Sequence, residues 1–576
     1  MAAVDYDIIV IGAGTSAIVF ARFYLDIHPQ CRLVLVERDG VVGGTWSRER
    51  VYEGFKAQAS AKLAGFSDIP FIPPPDGVDQ HGFFDARYMT DYLESYVDQH
   101  TYAGKTLRDR IKLNTTVTKL EKSNDIWTIH CQQSDNSSCS FTATKVVVAN
   151  GGTSEPNLPH FPSEATFKGK IVHTLNWGRS NVLTDPAVTN VSILGGGKSA
   201  ADMVYQAVKA GKSVSWIIRA SGKGPGCFIS RQGFGPYQNV VEAGLTRALC
   251  SVLFAGWGKQ NWWSRFLFRT RLGMWLYGKV EDTVNRQALD YADFDGRVGA
   301  KESFKLLKPQ NSAMWLLSPA GMVHHDDFWD VVSKNVDVYR GDIQDLTETS
   351  VTFTDGHSLE CDALLLGTGF GEAFPFLSES QLIHLGLPHD STQDTSPSAS
   401  EWASLDTEAT KDLLKQHPLL RNQPRVPENL GDISPSDTPF RLYNAIAPIT
   451  DKSIIFLGFA DVTNMFLASE LQAIWSTAWI DGKLKLGDDD DKLKRDIAHT
   501  NAYSRLRCPT YGKKGNFFAF DLFHYVDRLL GEVGLTSHRR GKWWWNLLID
   551  PFVMSNLKGM RDEYREKYGW DREKEE

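Results

Sequence analysis

The chain has 576 residues, long enough for about three or four domain-sized units or for two large domains with extensions. Its composition, 42% hydrophobic and 23% charged, is that of a globular protein, and a formal net charge of −8 argues against nucleic acid as a main partner. Seven cysteines, scattered and never spaced as CxxC, fit neither a disulfide scaffold nor a zinc cage, and no metal-ligand set stands out. In chain order, Tyr6–Ile11 (YDIIVI) reads as a short apolar strand running into Gly12, Ala13, Gly14, Thr15, Ser16 and Ala17. A helix-like segment then reaches about residue 25, and a second strand follows at 32–37 (RLVLVE). Strand, glycine turn, helix and strand make the first half of a dinucleotide-binding βαβ unit. Gly12 permits the tight turn, Gly14 lets the backbone approach a pyrophosphate, Ala17 keeps the helix near the sheet, and the helix start at Ser16 offers N–H groups to phosphates. Glu37, 25 residues after Gly12, is placed for a ribose 2′-hydroxyl, which favours FAD or NAD.

The pattern recurs at 191–194 (VSIL), followed by Gly195, Gly196, Gly197, Lys198, Ser199 and Ala200, a helix to about 210, and a strand at 213–218. The residue after that strand, 24 positions beyond Gly195, is Arg219, a cation suited to a 2′-phosphate and hence to NADPH, with Lys223 assisting. Gly197, Lys198 and Ser199 look like the end of a P-loop, but Ser192 stands where its first glycine is required, which excludes an ATPase. Two further strands, 145–150 (KVVVAN) and 363–368 (ALLLGT), end in small residues, as strands that return the chain between two nucleotide-binding domains do. Residues 389–437 turn polar and read as a surface insertion with one short helix near 407–416, and 488–491 as an acidic turn before a helix.

Between the two glycine motifs, Phe167, Gly169, His173 and Trp177 fit the fingerprint FxGxxxHxxx(F/Y/W). With it the chain resembles the class B flavin-dependent monooxygenases, the group of flavin-containing and Baeyer–Villiger monooxygenases. Trp177 is the Baeyer–Villiger choice, but Gly178 follows where Pro or Asp is expected. Gly43, Gly44, Thr45 and Trp46 are similar to the family's FAD-contacting GGxW segment, and Gly367, Thr368 and Gly369 to its ATG-type segment. Gly458, Phe459, Ala460 and Asp461, with Glu470, Gln472 and Trp475, are similar to its late flavin-binding stretch. Residues 520–535 and 557–568 resemble a fungal secondary-metabolism subset acting on small hydrophobic molecules.

The resemblance implies an α/β fold with two Rossmann-like dinucleotide-binding domains, a helical insertion and a C-terminal extension. The FAD-binding domain would take 1–160 and 362–510, and the NADPH-binding domain 161–361 with an aromatic and basic insertion near 222–300. Residues 511–576 would form the extension. NADPH held by Gly195, Gly197, Lys198, Ser199 and Arg219 would reduce FAD held by Gly12, Gly14, Ser16, Ala17, Glu37, Gly44, Thr45, Trp46, Thr368, Gly369, Asp461 and Gln472. The reduced flavin would capture O2 as a C4a-(hydro)peroxyflavin and pass one oxygen atom to a small hydrophobic substrate. Gln58, where flavin-containing monooxygenases carry Asn and Baeyer–Villiger enzymes Asp, would stabilise that state together with retained NADP. His173 would support the interdomain hinge, and Asp68 would act in the site or as a cap. Gln58 lacks the carboxylate that orients a Baeyer–Villiger arginine, for which Arg231 is the candidate here. Epoxidation, hydroxylation and N- or S-oxygenation are therefore expected before ketone-to-ester conversion.

A pyridine-nucleotide disulfide reductase would need a closely spaced cysteine pair, which is missing, and a non-catalytic flavin protein would not be expected to keep two intact glycine motifs. A strand beginning at Tyr6 leaves no room for a signal peptide, so a cytoplasmic, non-spanning protein is expected. Of the 17 tryptophans, seven fall in two short stretches, 257–275 and 543–545. Residues 243–279 carry six basic and no acidic residues, so peripheral membrane contact through 243–279 or 543–560 is an alternative to burial. Phe268, Leu272 and Trp275 fall opposite Trp263 and Leu267 on one continuous helix, a poor periodicity that favours a buried insertion helix.

Overall fold

The computed structural model describes residues 4–253, 261–309, 312–371, 374–392, 394–426, 438–486, 489–539 and 544–570. Tyr6–Ile11 lies between Leu33–Val36 and Ser138–Val148, parallel to both, with Ile111–Lys112 at the outer edge. The end of Ser138–Val148 also pairs in parallel with Ile454–Phe456, while its beginning turns antiparallel with Ile126–Gln133, which pairs with Thr115–Ser123. The central parallel stretches Ile8–Ile11, Leu33–Val36 and Val146–Val148 are apolar and buried, as strands covered on both faces are: Ile8 and Val10 belong to one core, and Ile9 and Ile11 to another with Trp127, Phe374 and Phe456. Helix Thr15–Ile27 packs there against Met465–Ile480, a helix buried on nearly every side.

The second sheet is wholly parallel, in the order Lys170–His173, Ala363–Leu366, Asn190–Leu194, Ser213–Ile218 and Val336–Arg340. This corrects the expected boundary at 362, since Ala363–Leu366 is an inner strand of the second sheet. Four consecutive apolar residues suit the interior of either sheet, so the sequence could not assign them. The chain crosses between domains at two adjacent places, where Pro156 bridges Phe370 and the Asn157 N–H donates to Gly369 O.

The insertion runs beyond 300 and closes only where Ala320–Met322 pairs with Cys227–Ile229. Its aromatic part is two helices, Trp262–Arg269 and Arg271–Ala292, and not one. The Thr270 hydroxyl caps the second by accepting the Gly273 N–H, and a Cβ on Gly273 would fall 2.0 Å from Phe266 O, so glycine allows the second helix to start at once. The helical register therefore resets at Thr270, and the poor periodicity of a single helix does not apply. Leu267, Phe268 and Tyr277 pack with Leu413, Leu420, Ala498 and Tyr503. Leu413 belongs to Pro397–Gln416, a 20-residue helix with Pro in its first turn, longer than the short one expected near 407–416. Asp489 caps the helix Asp490–Arg507 as the acidic turn suggested, while 427–437 and 487–488 lie outside the described residues.

The described residues beyond 511, expected as an extension, contribute to the core of the first domain. Leu522–Val533 buries Leu522, Tyr525, Val526, Leu529 and Leu530 against Met465–Ile480, and Tyr564 meets Phe23 edge to face at 5.6 Å. Among the described residues, no helix is long and apolar enough to cross a membrane.

Candidate functional site

A cavity of about 890 Å³ opens at the carboxyl ends of the first sheet. Of the expected FAD contacts, Gly12, Gly14, Ser16, Glu37, Gly44, Thr45, Trp46 and Asp461 line it. Gly12 has φ +107°, and a Cβ there would stand 2.6 Å from Ala149 O, so only glycine lets the strand turn into the helix. The GGTW segment folds back on this turn: the Gly43 N–H donates to Ala13 O at 2.9 Å, and a Cβ on Gly14 would lie 3.7 Å from Gly44 Cα. Thr15–Ile27 has no side-chain cap at Gly14, which leaves its first-turn N–H groups for an anion. Glu37 is buried, and its two oxygens accept the Ala13 and Asp39 N–H groups at 2.7 and 2.9 Å. Burial raises its pKa against those bonds, and each oxygen keeps a lone pair for a ribose hydroxyl. Trp46 stacks with Phe55 and Phe466, both at 5.7 Å. A glycine cradle, an uncapped helix start and a buried carboxylate at the strand end fit the adenosine and diphosphate of FAD.

Among the residues of this wall that were not foreseen are Tyr511, Lys513, Lys514 and Asn516. A Cβ on Gly512 would fall 1.9 Å from Ser504 O, and one on Gly515 2.3 Å from Asn501 Oδ1, so the two glycines seat the turn directly on Asp490–Arg507 and fix its lysines in the wall. The only sequence signal is YGKKGN at 511–516, a basic pair framed by glycines. Lys223 was expected beside Arg219; it instead lines this cavity, with its ammonium 4.0 Å from the Tyr511 ring centre. It is carried there because 220–226 crosses the second glycine turn, where a Cβ on Gly196 would meet Gly224 O at 2.5 Å. Asp461 lines the cavity and is open to it, and desolvation by the protein packed around that recess pushes its carboxyl up to about 6.

None of the three expected catalytic residues lines the cavity. Gln58, on Lys56–Ser60, clamps the other domain: its Oε1 accepts the Met322 N–H at 2.9 Å, and its Nε2 donates to Met322 O at 3.1 Å and lies 3.0 Å from His324 Nε2. Burial, then the charges of Lys198 and Arg231, hold His324 neutral well below the usual range. Asp68 meets the Tyr96 hydroxyl at 3.0 Å, His100 at 2.8 Å and Arg22 at 3.4 Å. Burial raises its pKa, but the His100 bond and the charges of Arg22 and His100 outweigh this and hold it at about 2. His173 lies 2.9 Å from Gly369 O through Nε2 and accepts the Leu175 N–H through Nδ1, so both nitrogens are used; burial lowers its pKa. It braces the interdomain crossing.

Ala17, Thr368, Gly369 and Gln472 also stand outside the cavity. Gln472 acts from behind, accepting the Gly458 N–H at 3.0 Å and donating to the Tyr525 hydroxyl. Thr368 donates to Asn157 O within the crossing. Arg231 is buried between Asp79 and Asp326.

At the second glycine turn, Gly195 has φ +138° and a Cβ there would reach Gly367 O at 2.3 Å, while Gly197 and Ser199 begin the helix Lys198–Lys209. The Lys198 ammonium is engaged by Asp202, which also accepts the Tyr52 hydroxyl at 2.7 Å. Arg219 is exposed at the strand end and, among the described residues, pairs with no carboxylate. The fingerprint segment joins the domains. Trp177 Nε1–H donates to Gln206 Oε1, Gln206 donates to Glu53 O, and Arg179 pairs with Glu49. A Cβ on Gly178 would sit 2.7 Å from Val51 O, which is why the expected Pro or Asp is missing here. Gly178→Asp is expected to lower stability by about 1–3 kcal/mol through overpacking; a denaturant midpoint equal to wild type would contradict this.

The family described as pyridine nucleotide-disulphide oxidoreductase matches residues 7–226. That range contains both glycine turns; all seven cysteines are free thiols and none lines the cavity. Cyclohexanone monooxygenase with bound cyclohexanone aligns at 16% identity and TM-score 0.57, over 92% of this chain and 98% of that one. S-allyl-L-cysteine S-oxygenase from Allium sativum aligns at 16% identity and TM-score 0.51, over 97% and 94%. A protein of Pyrenophora dematioidea named FAD-dependent monooxygenase is 30% identical over 561 residues, 93% of this chain and 99% of its own length. Similarity at that level over nearly the whole of both chains makes this chain a member of the FAD-dependent monooxygenases.

Proposed function

We propose that the protein is an NADPH-dependent monooxygenase that places one oxygen atom from O2 into a small hydrophobic metabolite by epoxidation, hydroxylation or N- or S-oxygenation. The observation that carries this reading is the pair of glycine turns with opposite charges at the strand ends, buried Glu37 in the first and exposed Arg219 in the second. FAD, when bound, supplies the redox and oxygen-activating chemistry. The protein's part is binding and enclosure. Gly12, Gly14 and the start of Thr15–Ile27 receive the diphosphate, Glu37 a ribose hydroxyl, and Arg219 the 2′-phosphate that distinguishes NADPH from NADH. Phe370, Phe374, Phe376, Phe440 and Phe459 give the cavity an apolar wall suited to excluding water. Gln58 and His173 are positioning residues, fixing the domain contact from outside the cavity. Arg231 is held by two carboxylates, and position 58 offers an amide and not a carboxylate, which favours these oxygenations over ester-forming insertion.

The test is anaerobic flavin reduction by NADPH, followed by product analysis after aerobic incubation with a thioether, a ketone and a polyene. Flavin bleaching and an oxygenated thioether or alkene are expected. A flavin that NADPH leaves oxidised would overturn the NADPH assignment, and an ester from the ketone alone would reverse the preference among oxygenations.

A further inference from the structure

The described residues of the two tryptophan-rich segments do not line the cavity, yet in both segments they include large, exposed apolar side chains. Helix Arg271–Ala292 buries Gly273, Tyr277, Ala288 and Ala292 against the protein body. On a different stripe of its first turns, Leu272, Trp275 and Leu276, spaced i, i+3 and i+4, are 59%, 58% and 37% exposed. Trp262, which opens the preceding helix, is 77% exposed.

Arg265, Arg269, Arg271 and Lys279 are exposed among them, and residues 261–279 contain no Asp or Glu in a chain of net charge −8. No carboxylate among the described residues pairs with Arg265, Arg269 or Arg271, and Lys279 has Asp282 at 3.7 Å. Helix Arg247–Val252 packs on Trp262–Arg269 and also on Trp544–Ile549, whose Trp545, Leu548 and Ile549 are 44%, 39% and 47% exposed. The tertiary fold thus gathers segments nearly three hundred residues apart in the chain.

We infer that Trp262–Arg269 and the start of Arg271–Ala292 form a peripheral docking surface for an anionic lipid bilayer. Tryptophan rings suit the level where acyl chains meet headgroups, and arginines beside them reach acidic headgroups without leaving water. Self-pairing of this face in a two-fold dimer would set its uncompensated cations against each other, so a second copy does not satisfy the charge. A bilayer with acidic lipids satisfies both the apolar stripe and the cations at its rim.

The test is flotation of the FAD-loaded enzyme with phosphatidylcholine vesicles, with and without phosphatidylserine. Binding is expected only with phosphatidylserine, and weaker as salt rises. Two double variants, Trp262→Ala with Trp275→Ala and Arg269→Glu with Arg271→Glu, are each expected to bind at least about tenfold less well. Their flavin content should be unchanged, because these exposed positions lie outside both nucleotide sites. The inference is overturned if wild type fails to float, if both variants float like wild type, or if sedimentation shows a dimer that the tryptophan variant dissociates, which would give the face to a second copy.

Discussion

Gly12→Ala is expected to leave the enzyme without stoichiometric flavin and to weaken FAD binding by about tenfold to a hundredfold. At φ +107° an alanine carries backbone strain of about 1–3 kcal/mol. Its Cβ would also stand 2.6 Å from Ala149 O, so the end of Ser138–Val148 must shift, and Ala149 and Asn150 there are part of the same cavity wall. Strain in the protein and damage to the cradle therefore come together, and both the unfolding midpoint and the flavin-to-protein ratio should fall. Gly14→Ala separates them. Its Cβ would meet Gly44 Cα at an ordinary 3.7 Å, so stability should hold while the path of the backbone toward a diphosphate narrows. A Gly12→Ala protein with wild-type flavin content and wild-type midpoint would remove this cradle from the FAD site.

Arg219→Ala is expected to raise the KM for NADPH by about tenfold to a hundredfold, the size of a lost charge-assisted hydrogen bond of about 1.5–3 kcal/mol. NADH lacks the 2′-phosphate, so its KM should change little. Lys198 cannot take over, because Asp202 engages its ammonium, and Lys223 lines the cavity at the first sheet. Anaerobic flavin reduction with each nucleotide checks this. Equal losses with NADH and NADPH would mean that Arg219 supports the fold and does not read the phosphate.

The cradle was legible because its requirements are local. A tight strand-to-helix turn, a close backbone approach and a carboxylate at a fixed distance along the βαβ unit each select a residue type at a set spacing, and the motif residues Gly12, Gly14, Glu37, Gly44 and Asp461 all line the cavity. Three polar residues matched by family position alone stand outside the cavity. Gln58, Asp68 and Gln472 each have the polar side chain a cofactor contact would need, but their partners are Met322, Tyr96 with His100, and Gly458 with Tyr525, all remote in sequence. Motif position does not show whether a side chain faces a cavity or its supporting layer. The departure at Gly178 became intelligible only when Val51 O was seen against it.

The sequence by itself determined that two glycine turns each link a strand to a helix, which of them carries the acidic and which the basic residue at the following strand end, and that neither a CxxC pair nor a complete P-loop motif occurs. Those properties rest on glycine conformation, charge and spacing within some 25 residues of chain. Only the tertiary structure decided that Ala363–Leu366 joins the second sheet, that 511–516 adds to the wall of the cavity, that Lys223 lines that cavity, and that Trp262–Arg269 and Trp544–Ile549 both pack on Arg247–Val252 with Trp262 and Trp545 exposed. Each of these depends on which apolar surfaces bury one another, and burial is set by partners distant in the chain rather than by local pattern.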